Sequence, residues 1–152
     1  MTANLLTIEM DTKGEPVEIY SVEMIGNSIL LPSFLRNFAE LMENGHTPNF
    51  LAATNRHKAI YAIIDGNIAG YMVYEFIDDL LKTTWITFSC VEKNFRQRGL
   101  YKILYRNLEG KVRTAGSKKI TSYVHVTNLP MIASSKAAGA KPVFYKMEKD
   151  LD

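Results

Sequence analysis

The sequence predicts a chain of the α/β (α+β) class, a mixed sheet with helices on its faces, on three observations. Two runs rich in β-branched and aromatic residues are joined by the short link Asp65-Gly66-Asn67, a hairpin signal. Apolar residues recur at three- and four-residue spacings after Leu31 and again after Leu100, the period of a helix with one buried face. Strand-like and helix-like segments interleave along the chain, which argues against a bundle or a sandwich.

Each element follows in order. Residues 5–10 and 17–24 flank Asp11-Thr12-Lys13-Gly14, a turn between two strands. Leu31, Phe34, Leu35, Phe38, Leu41 and Met42 share a helical face, with Pro32 in the first turn and Gly45 at the exit. Residues 58–64 and 68–77 form the hairpin. Residues 82–91 predict another strand, in which Ile86, Phe88 and Cys90 alternate with Trp85, Thr87, Ser89 and Val91. Gly99 then opens a helix whose stripe is Leu100, Ile103, Leu104, Leu108 and Val112, ending at Ala115-Gly116. Residues 120–126 read as a strand. Asn128 caps a short helix with Pro130 in its first turn, running to Ala138 and ended by Gly139. Residues 143–147 predict a last strand beside the preceding one, so the expected order is ββ, α, βββ, α, β, α, β.

At 152 residues the chain is expected to be one domain, 1–152, able to bury about 70% of its unfolded surface. A hydrophobic fraction of 47% and a charged fraction of 22% are those of an ordinary globular protein. No apolar run approaches a bilayer's thickness, so no membrane partner is expected. The N-terminus lacks the basic start and apolar stretch of a secretion signal, which predicts a cytoplasmic protein. The single cysteine, Cys90, sits in a strand-like run with no metal-ligand spacing; it reads as a core thiol, and no metal site is expected. A net charge of +2 does not suggest a nucleic-acid partner, although Arg56-His57-Lys58 and the stretch from Arg96 to Arg113 are locally basic. Small anionic ligands remain open.

Strand, turn and helix meet at residues 91–100. A glycine at such a turn lets backbone N–H groups converge on an anion, and the helix N-terminus adds partial positive charge. Arg96 and Arg98 beside Gly99 suit a multiply charged group such as a pyrophosphate. On spacing alone, two solvated arginines entering a helix read equally well. No Gly-Lys-Ser/Thr follows, so the loop is not that of a nucleoside triphosphatase.

The surroundings decide between these readings, because residues 58–147 resemble the GNAT superfamily of N-acetyltransferases in motif order and spacing. The segment from Ile60 to Tyr71 looks like the family's second and third strands, and Val91-Glu92-Lys93-Asn94-Phe95-Arg96-Gln97-Arg98-Gly99 like its cofactor loop. Downstream, Val124, Asn128 and Gly139 are spaced similarly to the family's fifth strand, fourth helix and terminal glycine step. The resemblance implies a mixed, mostly antiparallel sheet with helices on both faces, and acetyl-CoA or another acyl-CoA as cofactor. It also implies pantetheine pairing with the backbone at Cys90 and Val91, and pyrophosphate held at Arg96, Gln97, Arg98, Gly99, Leu100 and Tyr101. Asn128 and Ser135 fall beside the same cofactor.

Four departures accompany the match. Tyr101 stands where the loop usually ends in Gly or Ala, so its bulk must point away from the phosphates. Ser135 stands where many members carry a tyrosine that protonates the leaving thiolate; it is a far weaker acid but still a hydrogen-bond donor. Trp85 replaces the glutamate base of some relatives, and Ala140 replaces a packing phenylalanine.

Acyl transfer to an amine needs a neutral nucleophile, donors for the thioester carbonyl and a proton for the departing thiolate. Thr121, Tyr123 and His125 share one face of the predicted strand, so Tyr123 and His125 are the candidate bases and Ser135 the candidate acid. Against Tyr123 and His125 as bases stand plain packing or exposure on a strand. Glu92, Asp78, Asp79 and His57 read as solvated loop charges. The expected acceptor is an amine-bearing small molecule or protein, and a homodimer is left open. The competing readings are a GNAT-like acyl-CoA- or nucleotide-binding module without turnover, and a basic nucleic-acid-interaction protein using the arginines and lysines from Arg96 to Arg113.

Overall fold

The computed structural model of the chain describes residues 3–44 and 57–151. Among these residues six strands form one sheet in sequence order: β1 (Asn4–Met10), β2 (Pro16–Val22), β3 (Lys58–Ile64), β4 (Asn67–Phe76), β5 (Thr84–Val91) and β6 (Ile120–Ser122). Neighbours are antiparallel except β5 and β6, which run parallel. The helices are α1 (Leu31–Glu43), α2 (Leu100–Thr114) and α3 (Leu129–Ala137). The expected mixed, mostly antiparallel sheet is therefore present. Among the described residues no helix is long and apolar enough to cross a membrane.

The β3–β4 hairpin turns at Asp65 and Gly66, whose φ angles of 50° and 76° match the right-handed twist of the flanking strands. Two-residue alternation then sorts the central strands. Ile60, Ala62, Met72 and Tyr74 face α2 and its stripe of Leu100, Leu104, Leu108 and Val112. Tyr61, Tyr71, Val73 and Phe88 face the other way, where Phe34 of α1 meets Phe88 edge-on with ring centres 5.4 Å apart. Helices thus cover both faces. Pro32 lies in the first turn of α1 and Asn128 caps α3 through its side chain, both as the sequence indicates. Gly45 and Arg56, singled out in the sequence, fall outside the described residues.

Three expectations are corrected. The alternation expected along β5 is broken: Phe88 pairs with Val73 and Ile86 with Tyr74, leaving Thr87 as an extra residue. This β-bulge flips the facing of everything after it, so Ile86 joins the α2-side core while Phe88 and Cys90 pack on the α1 side. The strand expected over residues 120–126 ends at Ser122, because its parallel pairing with β5 extends only from Thr84 to Ile86. The last strand expected over residues 143–147 does not form. Among the described residues no strand pairs on the far edge of β6, and Val143, Phe144, Tyr145 and Met147 stay exposed.

Candidate functional site

Because β6 stops after three residues, β5 beyond Ile86 has, among the described residues, a strand partner on one edge only. The N–H of Glu92 donates to Ala69 on β4 at 2.8 Å. Alternation of hydrogen-bonding direction therefore turns the peptide groups of Cys90 towards β4 as well, and those of Ser89 and Val91 towards the open edge. Of the two residues expected to pair with a pantetheine arm, Val91 faces the opening and Cys90 does not. The Cys90 side chain lies on the α1 side, where burial, with Glu92 nearby, pushes its thiol up to about 12.

The open edge runs directly into the turn before α2. Gln97 and Gly99 have φ angles of 62° and 76°, both left-handed, and Gly99 is the N-cap of α2. Ile103 is the first residue whose N–H bonds back into the helix, to Gly99 at 3.1 Å, so the amides of Leu100, Tyr101 and Lys102 precede the helical ladder. These donors and the helix dipole make an anion cradle at the end of a strand edge. A side chain at position 99 would adopt a conformation that L-residues avoid, and its Cβ would meet Thr12 Cγ2 at 3.4 Å.

The two arginines part company. Arg96 Nε donates to the Val91 carbonyl at 3.0 Å, so its guanidinium spans the junction of edge and turn on the solvent side. Arg98 turns away, contrary to the expectation that both charges serve an anion. Its side chain is 14% exposed, and Nη1 lies 3.6 Å from Asp11 Oδ2 and 3.4 Å from Glu15 Oε2. The N–H of Thr12 also donates to the Arg98 carbonyl at 3.2 Å. The β1–β2 turn therefore braces the loop. Asp11 is held in turn: burial alone would raise its carboxyl, but N–H donors from Glu15 and Lys13 together with Arg98 bring it below the usual carboxylate range.

Two hydroxyl groups meet between α2 and α3, and a third, on β5, reaches α3. The Tyr101 hydroxyl lies 3.3 Å from Ser135 Oγ, and Ser89 Oγ lies 3.8 Å from the sulfur of Met131, one helical turn before Ser135. Ser135 is buried. Tyr101 does point away from the cradle, as its bulk requires, and its phenol is raised by burial while the Ser135 contact opposes the rise. Asn128 Oδ1 accepts from Met131 N at 3.4 Å, which fixes the start of α3.

Tyr123 and His125 lie beyond the end of β6, so the shared strand face expected of them is not formed. Tyr123 is exposed and meets the Trp85 ring edge-on, and His125 Nδ1 pairs with Thr127 Oγ1 at 2.8 Å. Trp85 stands opposite Glu75 of β4, whose carboxylate lies 2.7 Å from His57 Nε2. Glu92 is no solvated loop charge: Arg36 and the buried Asn37 both donate to its Oε1, at 2.9 and 2.8 Å. Asp79 closes its own loop by accepting from Thr83 N and Oγ1. A concavity of about 540 Å³ between β1 and α2, including Leu6, Arg106 and Lys111, holds none of the residues predicted for catalysis or cofactor binding.

Sequence reading missed the Tyr101–Ser135 contact, the Arg98–Asp11 brace and the Asn37–Glu92 bond. Each joins residues more than thirty positions apart, and no local spacing signals them.

A family model described as the acetyltransferase (GNAT) family matches residues 27–139. No curated protein matches the chain. Among solved structures, it is similar to an aminoglycoside acetyltransferase from an uncultured soil metagenomic sample, with 16% identity, a TM-score of 0.65, and coverage of 90% of this chain and 97% of that one. It is also similar to a ribosomal-protein-alanine N-acetyltransferase from Brucella melitensis biovar Abortus 2308, with 14% identity, a TM-score of 0.67, and coverage of 90% and 99%. A third similar structure is the aminoglycoside N-acetyltransferase AAC(6')-Iy in complex with CoA, with 18% identity, a TM-score of 0.57, and coverage of 86% and 99%. The strand edge that opens onto a glycine-capped helix, together with a family match over most of its length, establishes that this chain belongs to the GNAT family of acetyltransferases.

Proposed function

We propose that the chain transfers an acetyl or other short acyl group from its CoA thioester to an amine by direct attack. The observation that carries this reading is the continuity of the open β5 edge at Ser89 and Val91 with the cradle at Gln97, Gly99, Leu100 and Tyr101. A pantetheine arm carries amides that suit a strand edge, and a pyrophosphate suits the cradle. Arg96 supplies the charge and Arg98 the support, while Asn128 and Ser135 border the arm from α3.

The acceptor we favour is an amine on a cationic small molecule. A similar solved structure is an aminoglycoside acetyltransferase in complex with sisomicin. Chemistry constrains the base. A free lysine ammonium costs roughly 4.6 kcal/mol to deprotonate at pH 7, whereas an amine with a pKa near 8 costs about 1. For the second kind of amine His125 or Tyr123 needs to do little, and bulk water accepts the proton.

Two measurements test the reading. Acetyl-CoA should raise the melting temperature through mass action, and Gly99→Glu should abolish that rise in a folded variant. Free thiol should then be released from acetyl-CoA with sisomicin or another member of an amine panel, at a rate well above that of Gly99→Glu. Binding without release across peptides, polyamines and aminoglycosides would assign the chain as a binding module instead. No thermal shift at millimolar ligand would refute both.

A further inference from the structure

We propose that Tyr101 gives its hydroxyl proton to the sulfur that leaves the acyl group, and that Ser135 is the positioning residue that holds this hydroxyl in place. The proposal rests on the acyl-transfer reading above. It reassigns the acid from α3 to the first turn of α2.

The argument begins with position. Tyr101 follows the glycine cap by two residues, so its backbone belongs to the anion cradle, yet its side chain reaches across to α3, with Oη 3.3 Å from Ser135 Oγ. Met131 and Ser135 are one turn apart on α3, and Met131 rests against Ser89 at 3.8 Å. Ser89 directs its peptide groups to the open edge of β5. The phenol thereby lies between α2 and α3, and α3 rests on the strand whose open edge the thioester arm would follow.

Chemistry selects among the hydroxyls there. A thiol of pKa about 8.5 is regenerated well by a phenol of pKa about 10 and poorly by an alkyl alcohol, which does not act as an acid in this range. Ser135 and Ser89 can donate hydrogen bonds; only Tyr101 can donate the proton. Burial keeps the phenol protonated at neutral pH. The neighbouring titratable group on its own helix is Tyr105, with ring centres 5.9 Å apart and itself pushed up to about 12 by burial. Ser135 faces the phenol from α3.

The step balances. The amine nitrogen forms a bond to the thioester carbon, the carbon–sulfur bond breaks, and its electron pair goes to sulfur. Sulfur takes the phenol proton and leaves as the thiol of CoA. The surplus proton on nitrogen passes to solvent, and solvent reprotonates the phenolate. The sum is acyl-CoA plus amine giving amide plus thiol.

The test needs no knowledge of the acceptor. Free CoA is bound to the full chain and to Tyr101→Phe and Ser135→Ala, and the thiol of bound CoA is titrated by its thiolate ultraviolet absorbance. A phenol that donates to sulfur stabilises the thiolate, so the bound thiol should titrate about one unit or more higher in Tyr101→Phe than in the unaltered chain. Ser135→Ala should shift it in the same direction by less. Acetyl-CoA affinity should stay within about threefold in both, since neither change removes a phosphate contact. With any amine that supports thiol release, Tyr101→Phe should lose about tenfold or more in kcat with KM kept. Tight CoA binding with an unchanged thiol titration in Tyr101→Phe overturns the role of Tyr101 alone. Failure of the unaltered chain to bind CoA overturns the acyl-transfer reading itself. Should Tyr101→Phe not fold, an unshifted titration in Ser135→Ala overturns the proposal.

Discussion

Asn37 of α1 donates to Glu92 Oε1 at 2.8 Å and to the Tyr71 hydroxyl at 2.9 Å, so one buried amide ties α1 to β4 and to the residue that follows β5. Tyr71 is fully buried, and burial raises its phenol well above the ordinary value. Asn37→Ala would leave the Tyr71 hydroxyl without its donor and Glu92 with Arg36 alone. The expected cost is about 1–3 kcal/mol in a denaturant titration, whereas an exposed α1 position such as Leu35→Ala should cost far less. Equal costs would mean that the amide contributes only by filling space.

The two arginines of the turn before α2, where we propose that the cofactor's pyrophosphate binds, should separate experimentally. Arg96→Ala should weaken CoA more than a pantetheine-only thioester and leave the melting temperature nearly unchanged, because the exposed Arg96 makes one hydrogen bond among the described residues, to the Val91 carbonyl. Arg98→Ala should lower the melting temperature and weaken both ligands alike, since it deprives Asp11 and Glu15 of their cation. The opposite assignment of effects would return Arg98 to the anion site.

A pH dependence follows from Asp11. Its folded-state pKa is depressed, so the stabilisation it provides is present above the unfolded value near 4 and is lost as pH falls through the folded value. Asp11→Asn should melt below the unaltered chain at pH 7, and the gap should close in acid below pH about 4. A gap that persists unchanged at pH 2 would show that the carboxylate's charge plays no part.

Cys90 should be inert. With the thiol pushed up to about 12, roughly one molecule in ten thousand carries a thiolate at pH 8. A disulfide reagent at that pH should label it only after unfolding. Rapid stoichiometric labelling of the native chain would contradict its packing against α1.

Much of this architecture was legible beforehand, and residue by residue the reasons differ. Asp65-Gly66 and the stripe from Leu100 to Val112 announce their elements because turn chemistry and helical period are local properties. Asn128 and Pro130 announce α3 in the same way. The Thr87 bulge left no mark, since one extra residue in a β-branched run changes register without changing composition. Val143 to Met147 have the β-branched and aromatic composition of a strand, but a strand also needs a neighbour, and that is a property of the whole sheet. At the turn, the left-handed Gly99 that opens α2 was readable from its motif. The fate of Arg98 was not, because it depends on a carboxylate 87 positions earlier in the chain.

The recognisable part of the family stops short of what this turn requires. The match begins at residue 27, while Asp11, Thr12 and Glu15, which brace the turn, precede it. A shortened chain spanning only residues 27–139 would keep Gly99 and Arg96 but strip the Arg98 guanidinium of both carboxylates. The N-terminal hairpin and the turn before α2 therefore form one structural unit that reaches beyond the family match. In any graft between relatives the two would have to travel together.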